Sequence, residues 1–305
     1  MPDALGERLP PSLANRRVNW IEVARKDLTE ARHSWLLWTL SGVFTVGLLL
    51  ASLYPIIVFS AGTSELASAM GFAPLDSAIR WSVPLIALVV GAVAVVDERK
   101  ARTLRVLLGL PLTRRDILIG TFLSRSIIIS ALVLVGLVPA GVSLWYFYTD
   151  FSFPLYGSYA ALTLLLGLVF VSVGAGISAF CQSSARTLGA SVSVFTLVTF
   201  VWHVVPNGVF YLVDGRFPGN IPPPWNPPAW FVFLGNANPV DSHTALSRAL
   251  VSGDGQLGTR RYQSYVFEGE GPFYLQPEWL LLVLLLWAVI PLVVGGLRFS
   301  RSDLR

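Results

Sequence analysis

Six long stretches without a charged side chain are the feature that most constrains how this chain of 305 residues can fold. No Asp, Glu, Lys or Arg occurs in residues 34–64, 81–96, 126–149, 151–185, 187–213 and 279–297. A helix needs about 20 apolar residues to cross the hydrocarbon core of a bilayer, and most of these stretches exceed that length. With 54% hydrophobic and 13% charged residues, the sequence predicts an all-α integral membrane protein with six transmembrane helices.

We expect one transmembrane domain, residues 16–305, after a disordered polar segment, residues 1–15. Its six spans are predicted at about 34–60, 78–96, 126–148, 155–180, 188–213 and 279–297. The shortest uncharged stretch, residues 81–96, covers about 24 Å as a helix. This second span must therefore include flanking turns, or the bilayer must thin around it.

Lys and Arg are distributed unevenly over the segments that connect the spans. Taking alternate sides, 17 of the 22 lie on the side of the two termini, whereas the 18 acidic residues divide 9 and 9. Because cytoplasmic loops carry an excess of Lys and Arg, we expect a multi-pass protein of the plasma (cytoplasmic) membrane with both termini in the cytoplasm. The net charge of +4 needs no nucleic-acid partner, since the basic residues lie where anionic lipid headgroups would meet them.

Two segments outside the spans are expected to be ordered. Before the first span, Trp20, Ala24, Leu28 and Ala31 recur at helical spacing opposite a charged face, which favours an interfacial helix over one packed on protein. After the fifth span, residues 214–278 contain a run of Pro and aromatic residues that excludes a regular helix or central strand there. A short helix is predicted to start at 238–241, and the whole segment is expected to form an extracellular cap.

Several kinds of chemistry have no motif in this chain. Both lysines follow arginines, so a phosphate-binding loop with its Gly-Lys pair is excluded, and neither a serine-hydrolase nor a zinc motif is present. We therefore predict no catalytic residue, no metal site and no cofactor in this chain. The uncharged stretches that make up the predicted spans contain no carboxylate or fixed cation, which disfavours an ion-coupled carrier.

His203 is the titratable residue of note inside a predicted span, with Asn207 one turn further on. The two residues could contact a substrate along a translocation path, or His203 could form an interhelical hydrogen bond. Asp241 and His243 resemble an acid–base pair, but i and i+2 side chains point to opposite faces of a helix. We expect them to be surface residues.

The segment 97–116, between the second and third spans, predicts a rigid helix–turn–helix in the cytoplasm. Glu98 and Arg102 are spaced for an i,i+4 ion pair, and Pro111 ends the first helix. Thr113 and Asp116 match an N-cap pattern, so a new helix should begin there and continue into the third span. Such an element suits a docking lever for a cytoplasmic partner.

This order of elements resembles the membrane-spanning permease subunit of type-2 ATP-binding cassette (ABC) transporters, the six-span exporter class. That family has a Glu-x-x-x-Gly-Thr-Leu…Leu-Leu…Pro-x-Ser/Thr-Arg…Gly-Lys pattern after its second span. The matching residues are Glu98, Thr103, Leu104, Leu107, Leu108, Pro111, Thr113, Arg114 and Gly120. The chain departs from the pattern at Arg102, where Gly is usual, and at Thr121, where Lys is common. Residues 24–28, 298–304 and Asn238-Pro239 also resemble family features.

The resemblance implies a permease that works with a separate ABC ATPase subunit, which would hold ATP and Mg²⁺, and with a second permease copy. The chain itself would not be an enzyme, and transport would be export. The ATPase-coupling surface would comprise Glu98, Arg102, Thr103, Leu104, Leu107, Leu108, Pro111, Arg114 and Arg115. The alternative is a stand-alone membrane enzyme or lipid-handling protein that uses residues 214–278. The sequence indicates neither a substrate nor whether the two permeases are identical.

Overall fold

The computed structural model describes residues 20–59, 65–100, 114–148, 151–181, 183–217, 228–251 and 276–301. This part of the chain contains no strand and forms ten α-helices, which are α1 (Trp20–Arg32), α2 (Trp35–Phe59), α3 (Glu65–Lys100), α4 (Arg114–Phe147), α5 (Phe153–Phe180), α6 (Ser184–Thr196), α7 (Val204–Asp214), α8 (Ala229–Asn236), α9 (Pro239–Val251) and α10 (Pro277–Arg301). The predicted all-α class is therefore confirmed for the described residues. Residues 1–15 lie outside them.

Six helical segments in the described ranges are long and apolar enough to cross a membrane: Trp35–Val58, Ala73–Ala92, Ile119–Phe147, Phe153–Phe180, Ser184–Val201 and Pro277–Arg298. They agree with the six predicted spans in number and order. The second differs most from the prediction, because α3 begins at Glu65 and its apolar part begins well before residue 78. Asp76, Arg80 and, in the third span, Arg125 thus lie within membrane-spanning helices. The expectation that the spans contain no carboxylate or fixed cation was wrong.

α5 occupies the centre of the bundle. It packs against α3, α4, α9 and α10, and in its second half the consecutive residues 169–176 are all buried, so the helix is covered on every side there. More than half of the residues in the spans of α3, α4 and α5 are buried, whereas only 22% are buried in the first, fifth and sixth spans. The inner three helices therefore form the core, and the other three lie at its edge.

Glycines bring the backbones of α3, α5 and α10 into direct contact. A Cβ on Gly174 of α5 would lie 2.8 Å from the carbonyl oxygen of Leu88 in α3, and one on Gly91 would lie 2.7 Å from that of Val171. On the other side of α5, a Cβ on Gly176 would lie 2.8 Å from the carbonyl oxygen of Pro291 in α10. Small residues at helix interfaces allow this approach in membranes, where packing drives association.

The fifth span is not one regular helix. A π-helical segment, Leu197–Val201, follows α6, and the Trp202 N–H donates to the Leu197 carbonyl oxygen over 2.7 Å, five residues back. Pro206 then occupies the first turn of α7, where it supplies no N–H. Such π-bulges shift the hydrogen-bond register and occur frequently at functional sites.

The bundle has two ends, which we call the α1 end and the α9 end after the helices that lie there. α1 packs against α4, and α9 packs against α3, α5 and α10. α9 starts at Pro239 with Asp241 in its first turn, as predicted, and α4 starts at Arg114, directly after the predicted N-cap position. The prediction for α9 is thus confirmed, whereas the predicted N-cap Thr113 lies in residues 101–113, outside the described ranges, and stays a prediction.

Candidate functional site

Near the α9 end, an ion pair connects the second span to α9. Arg80 Nη2 of α3 lies 2.7 Å from Asp241 Oδ1 of α9, with the two side chains 21% and 14% exposed. The same guanidinium nitrogen lies 3.0 Å from Nε2 of His203, at the break in the fifth span. We call Arg80, Asp241 and His203 the Arg80 cluster. It joins three separate parts of the chain.

A hydrogen bond connects Arg80 to His203. A guanidinium has only donors, so Arg80 donates and Nε2 of His203 accepts. His203 therefore forms the interhelical hydrogen bond that was one of its two predicted roles.

A second polar group lies two residues further along α9, around His243. Its Nε2 lies 3.4 Å from Thr163 Oγ1 of α5 and 3.5 Å from Ser247 Oγ, and its Nδ1 lies 3.8 Å from Asp76 Oδ1 of α3. α9 is not one of the six spans, but the His243 side chain is fully buried between them. Burial lowers the pKa of His243 to about 4, so the imidazole is neutral at physiological pH.

The expectation that Asp241 and His243 are surface residues was wrong. Their side chains do point to different neighbours, as the i,i+2 spacing requires: Asp241 contacts Arg80, and His243 contacts α5. Both are nevertheless covered, because α9 packs against α3, α5 and α10. The sequence did contain one signal of polar partners in the bundle. Asp76 and Arg80 are four residues apart, so both lie on the face of α3 that contacts Asp241 and His243.

Asn238 connects the start of α9 to the irregular part of the fifth span. Its Nδ2 donates to the Val198 carbonyl oxygen over 2.7 Å, and its Oδ1 accepts from the Val240 N–H over 2.9 Å. The first bond satisfies a carbonyl in the π-helical segment, and the second satisfies a first-turn N–H of α9. Asn238 therefore positions α9, and with it Asp241, against the break in the fifth span.

Asn207 does not join the Arg80 cluster. Its side-chain amide donates to the carbonyl oxygen of His203 over 2.7 Å, within the same helical segment. His203, by contrast, has a side chain that is 44% exposed beside two charged groups. Of the two residues predicted for a substrate path, only His203 lies with other polar side chains from distant parts of the chain.

At the α1 end, a buried carboxylate attaches α1 to α4. Asp27 is 5% exposed, its Oδ2 accepts from Ser124 Oγ over 2.8 Å, and Arg125 Nε lies 3.8 Å from the same oxygen. The sequence indicated this contact, because Asp27 lies between Ala24 and Ala31 on the apolar face of α1. Arg125 is thereby paired although it lies within the third span.

The predicted ATPase-coupling residues fall mostly outside the described ranges. Glu98 lies in the last turn of α3, and Arg114 and Arg115 open α4, with the backbone described at all three. The others lie in residues 101–113: Arg102, Thr103, Leu104, Leu107, Leu108 and Pro111. Their role stays a prediction. Within the described residues, no three His, Cys, Asp or Glu side chains come together as metal ligands would.

Known proteins resemble this chain over most of its length. The family model of the ABC-2 family transporter protein matches residues 21–304. A "Probable ABC transporter permease protein NosY" of Stutzerimonas stutzeri is 28% identical over 254 residues, which are 76% of this chain and 82% of that protein. A protein of the same name from Pseudomonas aeruginosa is 25% identical over 237 residues, covering 74% of this chain and 80% of the relative.

These similarities agree with the six membrane-spanning helices. The family match covers nearly the whole chain, from the second residue of α1 to the penultimate residue. The protein therefore belongs to the ABC-2 transporter family, as a membrane-spanning subunit of an ABC transporter.

Proposed function

We propose that this subunit couples ATP hydrolysis by a separate ATPase subunit to the export of a substrate across the plasma membrane. ATP and Mg²⁺ would be bound by the ATPase, and a second permease copy would complete the transporter. Membership of the ABC-2 family supports both partners. The excess of Lys and Arg on the side of the termini supports a cytoplasmic α1 end, where the ATPase would dock.

The observation that carries this proposal is the length of α3. One helix runs from Glu65 to Lys100, past both ends of its apolar span Ala73–Ala92. Glu98 near one end and Arg80 in the span are 18 residues apart, which is about 27 Å along a helix. α3 continues as one helix through Pro84, which lies between these two residues. A displacement at Glu98 would therefore reach the Arg80 cluster at the α9 end. This is what a coupling lever requires.

The helices beside α3 would move with it. α4 begins at Arg114, at the other limb of the proposed coupling element 97–116, and α1 is attached to α4 through Asp27. We propose that α1 is the interfacial elbow helix of the permease. α8 and α9 would belong to the extracellular cap 214–278; α9 packs on α5, and α8 packs on α9 and α7.

We assign the Arg80 cluster to the substrate path. Charged and polar groups inside a membrane are costly against lipid chains, so they face a bundle interior, an aqueous cavity or another subunit. The exposed edge of His203 meets this condition only if it faces such a path or the second permease copy. Asn207, one turn further along α7, would line the same path.

The first test is co-purification from the native membrane in mild detergent, with identification of stoichiometric partners by mass spectrometry. We expect an ATPase with a phosphate-binding loop, and we expect it to be lost when residues 97–116 are scrambled. A protein that purifies intact and without such a partner would contradict the proposal. The stand-alone membrane enzyme would then be the better interpretation, and residues 214–278 would be the place to look for its site.

The second test measures whether ATP changes the distance between α3 and α7 at the α9 end. Spin labels at Ser77→Cys of α3 and Leu212→Cys of α7, in a Cys181→Ser background, would report on the distance between these helices. We expect ATP and Mg²⁺ to change that distance in the reconstituted complex. Glu98→Lys should abolish the change while insertion and ATP hydrolysis persist. The control Glu278→Lys makes the same charge reversal at the start of α10 and should leave the change intact. An unaltered response of Glu98→Lys would refute the lever.

A further inference from the structure

α1, α2 and α4 enclose an apolar groove at the α1 end, with a volume of about 220 Å³. Leu28 of α1, Trp38 of α2 and Leu132 of α4 line it, and Ala131 leaves space in its wall. Arg32, the last residue of α1, lies in the lining as its one charged residue. The groove is remote from the Arg80 cluster, which lies at the α9 end.

The position of the groove favours a hydrocarbon chain as its occupant. α2 and α4 both cross the membrane, and the groove lies between them beside side chains that are themselves open to the bilayer, such as Trp38 (64% exposed) and Val135 (52% exposed). An apolar cavity of about 150 Å³ stays dry and takes up a benzene-sized molecule. A groove of about 220 Å³ can therefore accept part of an acyl chain but offers water few hydrogen-bond partners.

The charges around the groove favour an anionic headgroup. The nearby carboxylates of α1 are already engaged, since Asp27 accepts from Ser124 and Glu30 lies 3.6 Å from Lys26 Nζ. Arg32 has no ion pair among the residues that the structure describes. Trp38 Nε1 donates to the Arg32 carbonyl oxygen over 2.9 Å, which holds this residue at the edge of the groove. A guanidinium in this position suits a phosphate, with which it forms paired, charge-assisted hydrogen bonds.

We infer that an anionic phospholipid binds at this site, with an acyl chain in the groove between α1, α2 and α4 and its phosphate on Arg32. The lipid would lie in the leaflet at the α1 end and would fill the gap between α1 and the first span. Its binding does not depend on the transported substrate, because no residue of the Arg80 cluster takes part.

Lipid retention by the purified subunit tests the site. The protein is exchanged into detergent with equal amounts of dioleoylphosphatidylglycerol and dioleoylphosphatidylcholine, and the lipids retained after size-exclusion chromatography are quantified by mass spectrometry. The two probes share their acyl chains, so only the headgroup differs. We expect the wild type to retain phosphatidylglycerol preferentially. Arg32→Gln should reduce that preference about fivefold, the effect of one basic residue at a membrane surface.

Two further variants distinguish binding in the groove from a general electrostatic attraction between anionic lipid and α1. Arg25→Gln removes the same charge from α1 at a residue outside the groove lining, and it should behave as the wild type. Ala131→Phe fills the groove and should lower the retention of both lipids, with Ala131→Leu as the substitute if the larger side chain prevents folding. Equal losses in Arg25→Gln and Arg32→Gln would overturn the inference, as would undiminished retention in the filled variant.

Discussion

The side-chain amide of Asn238 donates a 2.7 Å hydrogen bond to the carbonyl oxygen of Val198, 40 residues earlier in the chain. Val198 lies in the π-helical segment of the fifth span, and Asn238 immediately precedes α9. Asn238 is fully buried, and its side-chain oxygen Oδ1 accepts from the Val240 N–H. One side chain thus fixes the position of α9 and the conformation of the fifth span together.

Replacing Asn238 should show this double role. Asn238→Asp keeps the acceptor for Val240 but cannot donate to Val198 when ionised, and it adds a buried charge. We expect a loss of about 2–3 kcal/mol in the free energy of unfolding, measured by SDS titration in mixed micelles. Asn236→Asp makes the same change two residues earlier, at a partly exposed position, and should cost much less. Equal losses would contradict the assignment.

The Arg80–Asp241 pair should show strong energetic coupling. Asp241→Asn leaves the guanidinium of Arg80 without its carboxylate partner in a largely buried position. Removing one partner of a buried pair costs about 3–5 kcal/mol, and we expect a value near the lower end because both side chains retain some exposure. Arg80→Gln combined with Asp241→Asn should recover most of the loss. A double variant as unstable as the sum of the single variants would show that the two residues act independently.

Gly174 should tolerate no side chain. A Cβ there would lie 2.8 Å from the Leu88 carbonyl oxygen and 2.9 Å from the Ala92 nitrogen, and backbone atoms cannot rotate away. We expect Gly174→Ala to destabilise the protein by about 1–3 kcal/mol. Gly157→Ala, in the same helix α5, meets nothing within 4 Å and should be neutral or slightly stabilising. Thermal unfolding in detergent compares the two variants, and similar transition temperatures would contradict the close packing.

Acidification should destabilise the protein through His243. Its folded-state pKa of about 4 lies below the ordinary value of 6.5, so the unfolded chain binds more protons between these limits. The contribution of the neutral imidazole is therefore complete above pH 6.5 and decreases as the pH falls towards 4, by about 3 kcal/mol in total. The transition temperature of the wild type should fall between pH 7.5 and 5, and that of His243→Gln should fall less. His33→Gln, at an exposed position, is the control and should follow the wild type.

Asp27→Asn should loosen α1. The substitution removes the negative charge that Arg125 faces at 3.8 Å and weakens the acceptor of the Ser124 hydroxyl. A loss of about 1 kcal/mol in this attachment would raise the population of detached α1 about fivefold. Trypsin cleavage at Arg25 and Lys26 reports on detachment and should accelerate correspondingly. Glu30→Gln changes an exposed carboxylate of the same helix and should leave the cleavage rate unaltered.

The large features of the fold follow from local patterns in the sequence. The lengths of the uncharged stretches predict the six spans, and short-range turn chemistry predicts the start of α9 at Pro239. These features depend on residues that are close in sequence, so one sequence is enough to predict them.

The polar contacts could not be predicted in the same way, because they depend on which helices become neighbours. Arg80 and Asp241 are 161 residues apart, and nothing in the local sequence of α9 shows that α3 lies beside it. For that reason Arg80 was expected at the end of a span and Asp241 at the surface. The π-helical segment is a similar case. Leu197–Val201 contains neither Pro nor Gly that would indicate an irregular helix. The hydrogen bond to the Val198 carbonyl oxygen comes from Asn238, which is distant in sequence.

The glycine contacts described above determine where this protein can bend. Gly91, Gly174 and Gly176 leave no layer of flexible side chains between α5 and its neighbours α3 and α10, so rotamer changes cannot absorb a shift there. These three helices must turn together as a rigid frame. Relative motion is confined to the seams where longer side chains separate the helices, around α2 and the broken fifth span. The frame would transmit displacement from one end of the bundle to the other, and the first and fifth spans would move against it.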